Sequence, residues 1–132
     1  MSLELPEALL NQLAAEAWRA RQAARSIGGT KVGCAALSEA ERIFVGCNVE
    51  HRFRSHDIHA EVNAIGSLVT AGEGRLQAIF IAAERNKFTP CGGCLDWIFE
   101  LGGEDCLVYS QNRRGGPRAC YTAEQLMPHY PN

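Results

Sequence analysis

The 132-residue sequence contains no apolar run long enough to span a bilayer. Its start also lacks a secretory pattern, because Glu4, Pro6, Glu7, Asn11 and Gln12 interrupt Leu3 to Leu13. These absences argue against a membrane protein and give a cytoplasmic location as the expectation. A formal net charge of -2 offers no basic excess for capturing a nucleic-acid backbone. The expected partner is therefore a small molecule, with neither polynucleotide nor membrane. Repeats, low-complexity segments and internal linkers are also missing. With 46% hydrophobic and 21% charged residues, the chain suits one domain, residues 1–132, with a single core.

Six cysteines are present, and a disulfide framework is the reading they first invite. A chain without a secretory segment, and long enough to build a hydrophobic core, does not need one. Cys34, Cys47, Cys106 and Cys120 lie in apolar or strand-like runs, where a free thiol behaves as a small buried hydrophobe. Cys91 and Cys94 differ, because their spacing is that of metal ligands.

Taken in order, residues 5–27 read as an amphipathic helix with Leu9, Leu13, Ala17, Ala20 and Ala24 at helical spacing, stopped by Gly28-Gly29. Val32 to Leu37 and Arg42 to Val49 read as two strands whose short Ser38 to Glu41 connection demands an antiparallel hairpin. Ile58 to Ala71 reads as a helix with Ile58, Val62, Ile65, Leu68 and Val69 along one side, capped by Ser55 or Asp57. Leu76 to Ala83 is apolar almost without alternation, as in a central strand covered on both faces. Thr89-Pro90 suits the start of a helix carrying Cys94, Ile98 and Leu101 and ending at Gly102-Gly103. Cys106 to Tyr109 reads as a fourth strand and Ala119 to Tyr121 as a fifth. The connection between them is too short for a crossover, so strands four and five should be antiparallel. Thr122 to Gln125 has capping-box spacing for a last short helix.

His59-Ala60-Glu61 and Pro90-Cys91-Gly92-Gly93-Cys94 carry the chemistry. One imidazole and two thiolates supply three ligands for Zn²⁺ and leave a fourth tetrahedral position for water. Cys91 and Cys94, at i and i+3, lie on one side of a first helical turn, where the helix dipole favours thiolate. Such a zinc lowers the pKa of its water from the bulk value to about 7. That change is worth roughly 12 kcal/mol at about 1.36 kcal/mol per unit, and it makes hydroxide available at neutral pH. Glu61 stands two residues from His59 without being needed as a ligand, and is placed to move the water's proton. The plain alternatives are a surface carboxylate for Glu61, and a closed structural zinc with a fourth ligand from Cys34, Cys47 or His56.

The combination H-x-E with P-C-x-x-C is an established signature of zinc nucleobase deaminases. Over nearly its whole length the chain resembles the cytidine deaminase family. Val32-Gly33-Cys34-Ala35-Ala36-Leu37 is similar to the family's V-G-A-A-L strand. Gly46-Cys47-Asn48-Val49-Glu50 is similar to its G-x-N-V-E segment, and Gln125 to Tyr130 to its L-L-P-x-x-F tail. The resemblance implies an α/β fold, a three-layer α/β/α sandwich around a five-stranded mixed sheet. It also implies hydrolytic release of ammonia from cytidine, deoxycytidine or a related aminated nucleoside. It assigns His59, Cys91 and Cys94 to zinc and Glu61 to proton transfer. Asn48 and Glu50 would contact the ribose, Ala60 the base edge through its backbone, and Tyr130 a bound base across a subunit boundary. A homo-oligomer, dimer or tetramer, is the implied assembly.

Several positions depart from that pattern. Thr30 stands where an aromatic residue is common, His51 where Asn is usual, Arg54 where Tyr is frequent, and Leu95-Asp96 where Arg-Gln continues the cysteine motif. Val62 follows the catalytic Glu where three-cysteine relatives carry a compensating Arg, consistent with His59 as ligand. The His59 to Ile65 segment is also similar to deoxycytidylate, guanine and tRNA adenosine deaminases. Two further readings therefore stand beside the first: a nucleotide or free-base deaminase, with Arg52 and Arg54 near a substrate phosphate, and a non-catalytic domain with structural zinc.

Overall fold

The computed structural model describes residues 4–86 and 88–131. The first helix, α1 (Glu7–Arg21), is shorter than its periodicity predicts. Residues 22–27 have helix-forming composition, but Arg25 is drawn into a bridge beside Val49. Its N-H donates to Asn48 O at 3.0 Å, and its carbonyl accepts from Glu50 N at 2.7 Å. Tertiary pairing thus overrides propensity. The buried face of α1 is Leu10, Leu13, Ala17, Trp18 and Ala20.

The expected hairpin forms from β1 (Val32–Ser38) and β2 (Ile43–Cys47), antiparallel, with Glu41 at φ 63° in its turn. A 3-10 turn (Arg54–His56) leads into α2 (Ala60–Thr70), followed by β3 (Leu76–Ala83), α3 (Gly92–Gly102), β4 (Leu107–Gln111), β5 (Arg118–Thr122) and α4 (Ala123–Leu126). Sheet order is β2-β1-β3-β4-β5. β1 runs antiparallel to both neighbours, β3 and β4 are parallel, and β4 and β5 are antiparallel as the short connection requires.

Alternate residues of the central strands feed two cores. Ala35, Leu37, Phe80 and Tyr109 face α1, while Cys34, Ala36, Ile79 and Ile81 face α2 and α3. Coverage on both faces explains why β3 shows so little polar alternation. The result is the expected α/β/α layering. Because β1 is antiparallel to β2 and to β3, the carboxyl ends of β2 and β3 lie at the same edge of the sheet. The chains leaving that edge lead into α2 and α3, so both helix starts meet there.

Three predicted caps are not used. The cap of α2 is His59 and that of α3 is Cys91, neither with a side-chain cap hydrogen bond. Asp57 instead accepts from His51 N at 2.7 Å and Arg54 Nε at 2.7 Å. Ser55 and Thr89-Pro90 precede the helices they were expected to open. The capping box of Thr122 and Gln125 forms as predicted. All six cysteines are free. Among the described residues, no helix is long and apolar enough to cross a membrane.

The packed face of α2 differs from the one predicted by bulk. Ala60, Glu61, Ala64, Ile65 and Leu68 are buried, whereas Ile58 and Val69 are exposed. Close approach explains the choice. A Cβ added at Gly46 on β2 would lie 2.4 Å from Ala64 N and 2.8 Å from Ala60 O. Small residues on both elements therefore set the depth of α2 against the sheet. Gly46→Ala is expected to destabilise by about 1–3 kcal/mol through overpacking. Gly66→Ala, on the exposed side of the same helix with nothing within 4 Å, should stabilise by about 1 kcal/mol. Denaturant midpoints for the two variants check this, and shifts of equal sign would contradict the packing account.

Candidate metal centre and substrate pocket

The start of α2 brings His59, and the start of α3 Cys91 and Cys94, to one point. Both capping residues are extended, His59 at φ -76°, ψ 151° and Cys91 at φ -68°, ψ 169°, so their side chains leave the helix axis at its open end. His59 Nδ1 lies 3.3 Å from Cys94 Sγ and 3.4 Å from Cys91 Sγ. The three ligand atoms all fall within 4.8 Å of one another. A tetrahedral Zn²⁺, with bonds of about 2.0 Å to nitrogen and about 2.3 Å to sulfur, would hold such atoms about 3.6 Å apart. The donor set therefore fits zinc. Cys34, Cys47 and His56 do not join the cluster, which leaves three protein ligands and an open fourth position, unlike a closed structural site.

Electrostatics give a second reason for a cation. Burial pushes the Cys94 thiol well above its usual value, and the neighbouring Glu61 carboxylate and Cys91 thiol push it further. Glu61 is only 3% exposed, which removes the surface-carboxylate reading. Its pKa is raised, chiefly by desolvation, against the lowering effects of its own backbone N-H, His59 and Cys94. Two buried acidic groups, Cys94 and Glu61, thus converge beside the exposed Cys91, where a divalent ion would stabilise their charged forms.

A pocket of about 240 Å³ opens beside this cluster. Its wall includes His59, Ala60, Glu61 and Cys91 on one side and Thr30, Asn48, Glu50 and Arg54 on another. Asn48 and Glu50 are each 7% exposed, so the end of β2 does not simply face solvent. Asn48 Oδ1 accepts from Val32 N and its Nδ2 donates to Thr30 O, both at 2.8 Å. Glu50 Oε1 accepts from Ile27 N at 2.6 Å and Gly28 N at 2.9 Å. Glu50 Oε2 lies 3.1 Å from Arg54 Nη2.

Arg85 and Phe88, not singled out from sequence, also line the pocket, as does Asp57, which the sequence suggested only as a helix cap. Each sits in a connection without periodic signal, and only their closeness along the chain to His59 and Cys91 hinted at them. Asp96 does not line this pocket. Tyr130 stacks on Phe99 at 4.1 Å between ring centroids and 4° between planes, and its hydroxyl donates to Asp96 Oδ1 of the same chain.

Residues 7–110 match the family model for the cytidine and deoxycytidylate deaminase zinc-binding region. The chain belongs to this family. A cytidine deaminase of Sporosarcina psychrophila is 32% identical over 121 residues, covering 90% of this chain and 88% of that protein. A cytidine deaminase of Mycobacterium tuberculosis is 35% identical over 78 residues, but this match covers 58% of the present chain and only 59% of the relative's length. The crystal structure of a cytidine deaminase from Burkholderia pseudomallei superposes with a TM-score of 0.84 at 29% identity, covering 95% of this chain and 98% of that one.

The family match runs from α1 into β4 and so encloses both helix starts. Zinc is the cofactor that family and donor set agree on. Metal binding in such sites is coupled to folding. Cys94→Ser should therefore lose bound zinc and lower the melting temperature together; metal analysis showing one zinc per chain in the variant would refute the ligand set.

Glu50 supplies a separate pH prediction. Backbone N-H groups of Gly28 and Ile27 hold its carboxylate below the usual range. A folded pKa below the unfolded value of about 4.3 gives stability that is present above that pH and lost as pH falls through the lower folded value. The protection factor of the Gly28 amide, corrected for intrinsic exchange and monitored by NMR, should fall in wild type as pH drops below the ordinary carboxylate range and should lack that step in Glu50→Gln.

Proposed function

We propose that this protein is a zinc-dependent hydrolase that releases ammonia from cytidine, deoxycytidine or a closely related aminated nucleoside. The observation that carries this reading is a buried carboxylate, Glu61, beside an open cluster of three ligand atoms at the wall of a pocket. His59 Nδ1, Cys91 Sγ and Cys94 Sγ would hold the metal. When bound, zinc supplies a Lewis acid that acidifies a coordinated water.

In the overall reaction, water adds to the ring carbon bearing the amino group, the exocyclic C-N bond breaks and a carbonyl replaces it. Glu61 takes the water's proton on a carboxylate oxygen, passes it to the adjacent ring nitrogen, and later helps protonate departing ammonia. Desolvation raises the proton affinity of Glu61, which suits a group that must both accept and return a proton near neutral pH. Ala60, at the first position of α2 and on the pocket wall, offers a backbone N-H to the base edge. Asn48 retains one Nδ2-H for the sugar, and Glu50 one lone pair, beyond the bonds already described.

The same reading makes the chain a single-domain cytoplasmic enzyme acting on small molecules, and a homo-oligomer. Exposed Phe53, Trp97 and Ile58 support the last of these, since an assembly would cover them. Glu61→Gln should keep zinc and lose at least about 100-fold in ammonia release. Undiminished release of ammonia from cytidine or deoxycytidine by that variant would overturn the assignment of the proton shuttle.

A further inference from the structure

The proposed chemistry uses neither Arg54 nor Arg85, yet both guanidinium groups line the pocket. Counting hydrogen-bonding capacity on the wall shows what they leave available. A carboxylate offers about four lone-pair sites. Three of those on Glu50 are taken, by Ile27 N, Gly28 N and Arg54 Nη2. Asp57 gives one oxygen to His51 N and the other to Arg54 Nε. On the donor side, arginine carries about five N-H groups. Arg54 spends Nε on Asp57 and one Nη2 hydrogen on Glu50, so its remaining guanidinium hydrogens have no acceptor among the described residues. Arg85 has no ion-pair partner among the described residues.

Glu50 and Asp57 are offset in charge by Arg54 and Arg85, so this part of the wall carries no net charge. Its spare capacity is nonetheless one-sided. A neutral hydroxyl seeking an acceptor meets one free lone pair on Glu50. An anionic oxygen meets the free N-H groups of Arg54, Arg85 and Asn48, and bonds of that kind are charge-assisted. Arg85, Phe88 and Thr89 also border a second cavity of about 480 Å³ lying along the carboxyl ends of β3 and β4. Arg85 therefore stands on the side of the pocket that adjoins this second cavity.

We infer that Arg54 and Arg85 set substrate specificity, and that the preferred substrate carries an anionic oxygen group, phosphate or carboxylate, on the substituent of its aminated ring. Arg54 has two parts in this. It occupies one site on Glu50, leaving that carboxylate a single lone pair for a hydroxyl, and it presents its remaining N-H groups to the anion. The inference rests on the deaminase reading for its substrates, but it concerns binding and is tested on binding.

The test uses zinc-loaded full-length Glu61→Gln protein, which is expected to bind without turnover. Calorimetry compares cytidine, 3′-deoxycytidine, cytidine 5′- and 3′-monophosphates and cytidine 5′-carboxylate. At least one anionic compound should bind about tenfold or more tighter than cytidine, the scale of one charge-assisted hydrogen bond. The monophosphate and carboxylate arms identify which anion is preferred. Removing the 3′-hydroxyl should cost less affinity than the preferred anion gains, because Glu50 offers that hydroxyl a single lone pair.

Adding Arg54→Ala or Arg85→Ala should abolish the anion preference, while Arg54→Lys should keep part of it. In the otherwise wild-type enzyme, the same substitutions should act through KM more than kcat. Melting temperature and zinc content check the fold of each variant. Arg85→Ala carries the test if Arg54→Ala unfolds, because Arg85 holds no ion pair among the described residues. Equal or weaker binding of every anionic compound, or a preference that survives both alanine variants, overturns the inference. Anion-selective binding without ammonia release from any compound by the wild type would uphold the specificity and fail the deaminase reading instead.

Discussion

The structure depends on one electrostatic constraint: a buried thiol, Cys94, and a buried carboxyl group, Glu61, meet the more exposed Cys91 and His59, and among the described residues the side chains of this cluster include no permanent cation that offsets them. Helix N-termini ease this arrangement, because free N-H groups and the positive end of the dipole favour negative charge. They do not complete it, since Cys94 remains strongly disfavoured as thiolate by burial. A divalent ion removes the conflict and in doing so joins α2 to α3. The metal is therefore a structural tie at the sheet's edge.

The sheet makes that meeting possible. Had β1 been parallel to either neighbour, the carboxyl ends of β2 and β3 would have fallen at opposite edges and the two helix starts could not have converged. The Gly46 contact with Ala60 and Ala64 then fixes how deep α2 sits, and with it the position of His59 and the burial of Glu61. Backbone packing some distance from the ligand atoms thus sets the geometry of the centre. Small residues matter here because a single added methyl group moves a whole helix.

What could be read from residues alone follows the same division. His59, Glu61, Cys91 and Cys94 were legible because ligand chemistry tolerates few residue types and short spacings, and the structure does bring them together. The strands were legible from apolar runs and forced connections, including the antiparallel β4 and β5 pair. The far end of α1 was not, because the bridge of Arg25 with Val49 is a tertiary contact without local signature. Nor was the face of α2, where periodicity favoured bulky Ile58 and Val69 while close packing chose alanine. Pocket residues such as Arg85 and Phe88 escaped because connections carry no period, and only the fold says which of them face inward.

That division also separates chemistry from selection. The ligand atoms and Glu61 stand on the first turns of helices anchored in a common core, where small displacements cost much. The rest of the wall comes from connections: Thr30, Glu50, Arg54 and Asp57, whose segments are held by side-chain to backbone hydrogen bonds and ion pairs, and Arg85 and Phe88. Such segments can change residue type without disturbing the metal centre. Thr30 and Arg54 lie there, and so do the donors left unpaired. A chain can therefore keep the family's zinc chemistry intact while altering which aminated ring, with which substituent, that chemistry meets.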